Sequence, residues 1–319
     1  MDGFVVKADF LPRLLQQLQE NYQVVGPVRG KDDVCRLQPL DEWSEHQEFS
    51  LPRISVKKYL FPPNELLYTT KNGTFEPPPP PEQMAVVGVP SCDLYAVDFL
   101  DRVFADDPLY QRRRSNLLLV GITCHPSEDC FCPPRDTPPP FDLFLDEERV
   151  FSGTPRGDEL LQQLGDRLIG EVEIDHDWTC EAQGPPLPEN LERRWAANET
   201  KSFWEEIGGR CLGCGACSAV CPTCHCFDMQ DRIDAAGNAV RHRIWDNCFF
   251  PNFALVAGGH DFHPTRGARF RFRCEHKLLG FGVFRGESSC VGCGRCRAAC
   301  PVQIDILEAL DHLREGAIP

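Results

Sequence analysis

The chain has 319 residues, of which 42% are hydrophobic and 25% charged, and its formal net charge is −15. That length is about two domains, and the balance is ordinary for a globular protein with a core. The acidic charge argues against a nucleic-acid binder, which would present a basic face. The longest apolar runs, such as residues 117–122, are too short to cross a bilayer, so no membrane insertion is expected. The N-terminus shows no basic segment followed by an apolar stretch, and a cytoplasmic location is expected.

In chain order, residues 1–189 read as an α/β domain. Asp9 is placed to cap a helix whose apolar stripe is Phe10, Leu11, Leu14, Leu15 and Leu18. Residues 85–89 (Ala-Val-Val-Gly-Val) are a buried-strand candidate. Residues 93–104 follow with Leu94, Val97, Leu100, Val103 and Phe104 at helical spacing, and residues 117–122 are a second buried strand. Strand, helix and strand in that order predict a parallel unit with helix cover. Residues 77–81 are five consecutive prolines and form an extended loop. Residues 133–140 are a second proline-rich connection and residues 184–188 a third, after which the domain boundary is placed. Residues 190–319 read as mostly helical: the segment 191–207 is charged with spaced apolar residues, and Ile306, Leu310 and Leu313 mark a short amphipathic helix. The expected class is therefore α+β.

Eighteen cysteines dominate the composition. In a reducing compartment disulfides are rare, and spaced cysteines more often bind metal. Two motifs carry this reading. Cys211-x2-Cys214-x2-Cys217-x3-Cys221-Pro222 and Cys290-x2-Cys293-x2-Cys296-x3-Cys300-Pro301 both have the bacterial ferredoxin pattern. A cubane offers four irons, each needing a thiolate. Three close cysteines on a tight loop reach three corners, and the fourth must come from elsewhere. In two-cluster ferredoxins the fourth cysteine of one motif serves the other cluster. By that rule Cys211, Cys214, Cys217 and Cys300 hold one 4Fe–4S cluster, and Cys290, Cys293, Cys296 and Cys221 the other. Gly213, Gly215, Gly292 and Gly294 let the loops fold tightly around them. The 68 residues between Cys221 and Cys290 make this an enlarged ferredoxin-like domain.

Other cysteines are less decisive. Cys92 follows the first strand candidate, and Cys124, Cys130 and Cys132 follow the second. Adjacent parallel strands bring their C-terminal ends together. Spacing alone leaves two readings, a third cluster or small buried side chains. Cys224 and Cys226 read as thiols crowded beside a cluster, with a ligand role as the alternative. Cys35, Cys180, Cys248 and Cys274 are isolated and read as structural. His260 and His263 read as polar loop residues, since no third ligand lies nearby. The basic runs 112–114 and 266–273 read as solvated faces, or as counter-charges to an anionic cluster. No acid/base pair, nucleophile motif or dinucleotide-binding fingerprint occurs, so neither NAD nor flavin is expected on this chain.

The run Cys221-Pro-Thr-Cys-His-Cys-Phe-Asp228, with the two cysteine motifs, resembles the dicluster iron–sulfur subunits of multi-subunit oxidoreductases. These include the β subunit of soluble NAD(P)-linked nickel–iron hydrogenases (sulfhydrogenases) and the A subunit of anaerobic sulfite reductase. Ser55-Val-Lys-Lys-Tyr-Leu-Phe-Pro62, Cys92-Asp-Leu-Tyr-Ala-Val-Asp-Phe-Leu-Asp101 and Cys130-Phe-Cys132 are similar to the same family. The resemblance implies a third 4Fe–4S cluster on Cys92, Cys124, Cys130 and Cys132. It also implies a relay between a separate flavin subunit that handles NAD(P)H and a separate catalytic subunit. A hydrogenase is the leading expectation for that subunit. A sulfite reductase or heterodisulfide-reductase-like complex is the alternative, and a free-standing small-molecule reductase ranks lower.

Overall fold

The computed structural model describes residues 2–40, 50–135, 137–173, 178, 184–197 and 201–315; Cys180 lies outside them. In the N-terminal half the elements are β1 (Gly3–Val6), α1 (Phe10–Gln19), β2 (Gln23–Arg29), β3 (Cys35–Pro39), α2 (Lys57–Leu60), β4 (Asn64–Lys71), β5 (Thr74–Glu76), β6 (Met84–Pro90), α3 (Ser91–Val103), α4 (Pro108–Ser115), β7 (Leu117–Ile122), β8 (Leu143–Asp146), β9 (Arg149–Ser152), α5 (Pro155–Gln163) and β10 (Leu168–Val172). There follow α6 (Leu191–Ala197), α7 (Lys201–Arg210), α8 (Ala216–Ala219), β11 (Phe227–Ile233), β12 (Ala239–Trp245), α9 (Arg266–Leu278), α10 (Arg295–Ala298) and α11 (Ile306–Glu315).

An eight-stranded sheet runs in the order β10-β1-β9-β8-β7-β6-β2-β3. Its centre is parallel: β2 with β6, β6 with β7, and β7 with β8. The apolar runs of β6 and β7 follow from burial on both faces. Val86, Val89, Leu117 and Leu119 pack into one core with α3, while Ala85, Val87, Leu118 and Val120 pack into the other with α1 and α5. The expected strand, helix and strand are thus present. Helix α1 buries Phe10, Leu14, Leu15 and Leu18, but Asp9 makes no side-chain cap to it. Its carboxylate lies 3.5 Å from Arg167 instead.

The helical reading of residues 190–319 holds for α6 to α11, but the insertion between the cysteine motifs also contains the β11–β12 hairpin. Every residue of β11 is exposed, so no apolar alternation marks it in the sequence. The hairpin is held by pairing: β12 runs antiparallel to β4, giving a four-stranded sheet β11-β12-β4-β5. That sheet joins strands from both sides of residue 190.

A buried charge network fastens the sheet to the rest. Arg243 on β12 donates through Nε to Glu65 on β4 at 2.6 Å, and also meets Asp107, while Arg113 on α4 pairs with the same Glu65. Asp107 in turn accepts from the amides of Leu109 and Tyr110 and so caps α4. Removing one partner from such a network leaves a buried charge uncompensated, which costs about 3–5 kcal/mol. Glu65→Ala is therefore expected to lower the thermal midpoint by many degrees. Asp231→Ala, which breaks the exposed Asp231–Arg241 pair, should leave the midpoint nearly unchanged in the same calorimetric comparison.

Candidate metal centres

The two cysteine motifs fold alike. In each, a glycine with left-handed backbone, Gly215 (φ +74°) or Gly294 (φ +70°), starts a short helix, α8 or α10. Cys211, Cys214, Cys217 and Cys300 line one cavity, which Cys296 also borders. Around Cys296, burial raises the thiol pKa, Arg273 opposes that, and Cys290, Cys293 and Cys221 add to it by their charge. Cys300 of the second motif thus borders the cavity of the first three cysteines of the first motif, and Cys221 of the first motif lies near the cysteines of the second. Backbone amides point at sulfur: Gly213 donates to Cys211 Sγ at 3.3 Å and Ile304 to Cys300 Sγ at 3.2 Å. Such bonds stabilise a more negative sulfur.

The four N-terminal cysteines also draw together. Cys92 opens α3 at the end of β6, and Cys124 follows the end of β7. Cys92, Cys124 and Cys132 line one pocket, and Cys130 is close enough to Cys92 to raise its thiol pKa, after burial, Asp93 and Cys293. This group is welded to the second motif. Phe131 N donates to Gly292 O at 2.8 Å, and Arg297 donates to Asp129 O at 2.7 Å. The sulfurs of Cys130 and Cys132 lie 3.8 Å from the carbonyls of Cys293 and Gly292. Arg295 grips Asp93 with two bonds, at 2.6 and 2.8 Å, and donates to Pro52 O at 2.7 Å, all buried.

Three lysine and arginine side chains complete the surroundings. Lys57, Arg273 and Lys277 are each 2–4% exposed. Lys57 Nζ donates to the carbonyls of Cys221 and Cys224, Lys277 Nζ to Thr223 Oγ1 and Ser289 Oγ, and Arg273 to Cys217 O and Cys224 Sγ. Lys57 also sits over the Trp245 ring. None of the three has a carboxylate partner among the described residues. Burial pushes Lys57 down to about 8 even though Cys224 and Cys221 pull the other way. Buried cations without counter-ions are strongly unfavourable. A bound group of several thiolates and sulfides is the anion that this cage lacks, so the donor set and its charge fit iron–sulfur clusters.

The sequence attaches no role to Lys57 or Lys277, and it leaves the arginines of α9 between two readings. A signal was present. Arg269, Arg273 and Lys277 recur every four residues beside Phe270, Cys274 and Leu278, and all six are buried on one face of α9. Cys274 and Cys35 behave as expected, Cys274 inside the helical core and Cys35 with its sulfur 3.3 Å from Ser50 O. Cys248 does not stand alone: it shares a cavity with Cys224 and Cys226.

Cysteine loops of this pattern around a cationic cage define an iron–sulfur electron-transfer protein. Residues 210–304 match the family described as a 4Fe-4S dicluster domain. Over 332 aligned residues, 98% of each chain, the sequence is 33% identical to sulfhydrogenase 2 subunit beta of Pyrococcus furiosus. The chain belongs to this family of hydrogenase iron–sulfur subunits. No solved structure matches it. No helix among the described residues is long and apolar enough to cross a membrane.

Two substitutions test the site. A Cβ on Gly292 would meet Phe131 O at 2.2 Å in a backbone with φ +66°, so Gly292→Ala should push the 129–132 loop away. The expected result is loss of iron, read by metal analysis, together with a lower thermal midpoint. Lys277→Met should act oppositely on the two forms of the protein. It removes an uncompensated charge from the iron-free chain and should raise its midpoint. It removes a counter-charge from the loaded chain and should lower the potential of a neighbouring cluster in a redox titration.

Proposed function

We propose that this chain relays electrons between a flavin subunit that oxidises or reduces NAD(P)H and the catalytic subunit of a nickel–iron hydrogenase complex. The observation that carries the reading is the file formed by the three cysteine sets. Cys92, Cys124, Cys130 and Cys132 abut the loop of Cys290, Cys293 and Cys296. That set includes Cys221, which is on the same short segment as Cys217 of the last set. Arg273 reaches across this segment to both Cys217 O and Cys224 Sγ. In this reading each set binds one 4Fe–4S cluster, with Cys221 and Cys300 exchanged between the two motifs, and the middle cluster passes electrons between the outer two. Cys214 is exposed and marks one end of the file. The chain's own residues bind, space and tune the clusters through amide bonds to sulfur, buried cations and water exclusion. The division of labour follows the resemblance to a sulfhydrogenase β subunit, and the division into residues 1–189 and 190–319 is retained as part of it.

Protein purified without oxygen should contain about twelve or more irons, with matching acid-labile sulfide, since each cubane holds four. Cys130→Ser and Cys214→Ser should each alter one cluster in the electron paramagnetic resonance spectrum and lower hydrogen-linked reduction of NAD(P) by the assembled complex at least tenfold. About eight irons would take the N-terminal set out of the wiring. Full turnover with Cys214→Ser would refute the relay. Nickel should co-purify with the native complex, whereas a sirohaem absorption band would point to a sulfite reductase.

A further inference from the structure

The three file sets leave a cavity of about 250 Å³ beside them that holds three more thiols, those of Cys224, Cys226 and Cys248. Cys224 and Cys226 come from the segment just after the first motif. Cys248 comes from the far end of the hairpin, so the β11–β12 turn brings it back to them. Cys226 and Cys248 are near enough to influence each other's charge. Helix α9 supplies the opposite wall with Arg273, His276 and Lys277. The Nε2 atom of His276 is buried and has no hydrogen-bond partner. An imidazole nitrogen left unsatisfied in a buried site costs free energy unless a ligand meets it. Phe272 and Phe284 line its sides.

We propose that Cys224, Cys226 and Cys248 hold a further iron–sulfur cluster, with His276 Nε2 as its fourth donor. Three thiolates and one imidazole are a sufficient ligand set for a cubane, and Lys277 and Arg273 supply its counter-charge. No three Cys, His, Asp or Glu side chains among the described residues close on a single ion. The site lies to one side of the file. The Cys224 thiol donates a hydrogen bond to the Cys221 sulfur, and Cys248 lies near Cys217. An imidazole in place of a thiolate raises a cluster's potential, so this centre would collect electrons from the file. Its outer wall is the 280–284 loop, where Val283 is 91% exposed, which places the side branch next to the surface. The inference rests on the iron–sulfur reading above but concerns residues outside the file.

The test uses the full chain purified without oxygen, with iron, acid-labile sulfide and zinc measured together. Cys226→Ala/Cys248→Ala should contain about four irons and four sulfides fewer than the unmodified chain, while the signals sensitive to Cys130→Ser and Cys214→Ser stay in place. Unchanged iron and sulfide would overturn the proposal, as would zinc in the unmodified chain that disappears in the variant. Failure of the relay reading is separate, because it appears in the Cys130 and Cys214 variants. If the double variant loses all its iron, it has unfolded, and His276→Gln decides instead because it keeps every thiol. In that variant a nitrogen coupling seen by pulsed electron paramagnetic resonance should vanish and one midpoint potential should fall. A spectrum and potentials identical to those of the unmodified chain would overturn the assignment.

Discussion

The structure depends on a charge that the polypeptide does not itself balance. Lys57, Arg273 and Lys277 come from two distant parts of the sequence and meet around the cysteines that follow the first motif. Their polar contacts are carbonyls, hydroxyls and a thiol, which solvate a cation only in part. Ionised cysteines and the sulfides of a bound cluster would supply the missing negative charge. A cluster bound there would couple folding to cofactor binding, as in other proteins whose metal site is incomplete without the metal. The same cations make reduction of a cluster easier than it would be in an apolar cavity.

A second constraint is close backbone approach. The 129–132 loop lies against the second cysteine motif where Gly292 and Gly294 have no side chain. Cβ atoms there would come within 2.2 Å of Phe131 O and 2.4 Å of Asp129 O. The glycines thus do two things. They give the motif its left-handed turns, and they let the end of the parallel sheet press its own cysteines against the ferredoxin-like loops. The buried Arg295–Asp93 pair bridges this contact, with Cys92 and Cys293 near the guanidinium. The C-terminal end of the parallel strands and the second cysteine motif are consequently in direct contact.

The four-stranded sheet serves the same end from the other side. Strand β4 belongs to the N-terminal half, yet its partner β12 is in the insertion between the motifs. Phe61 O accepts from Trp245 Nε1 at 2.9 Å, and the Trp245 ring lies beneath Lys57. The insertion therefore does not simply lengthen a ferredoxin. It carries Cys248 and α9 to the cluster region and anchors them through Glu65 and Arg243 to the rest of the chain.

The sequence by itself determined the parts whose signal is local. A CxxCxxCxxxCP spacing is a statement about one loop and can be read without knowing what lies beside it. The two motifs, the buried strands β6 and β7, α3 and α11 all carry periodicity or spacing of this kind. What only the tertiary structure decided depends on residues far apart in the chain. A lysine at 57 reads like any surface lysine until it is found beneath Cys221. Cys248 reads as incidental until the hairpin folds it against Cys226. The exposed β11 has no apolar pattern, because backbone pairing holds it rather than a buried face. Asp9 has the right residue type for a cap, yet its geometry gives the carboxylate to Arg167. Local spacing encodes which cysteines can reach a common point, while charge balance and long-range pairing become visible only when distant segments meet.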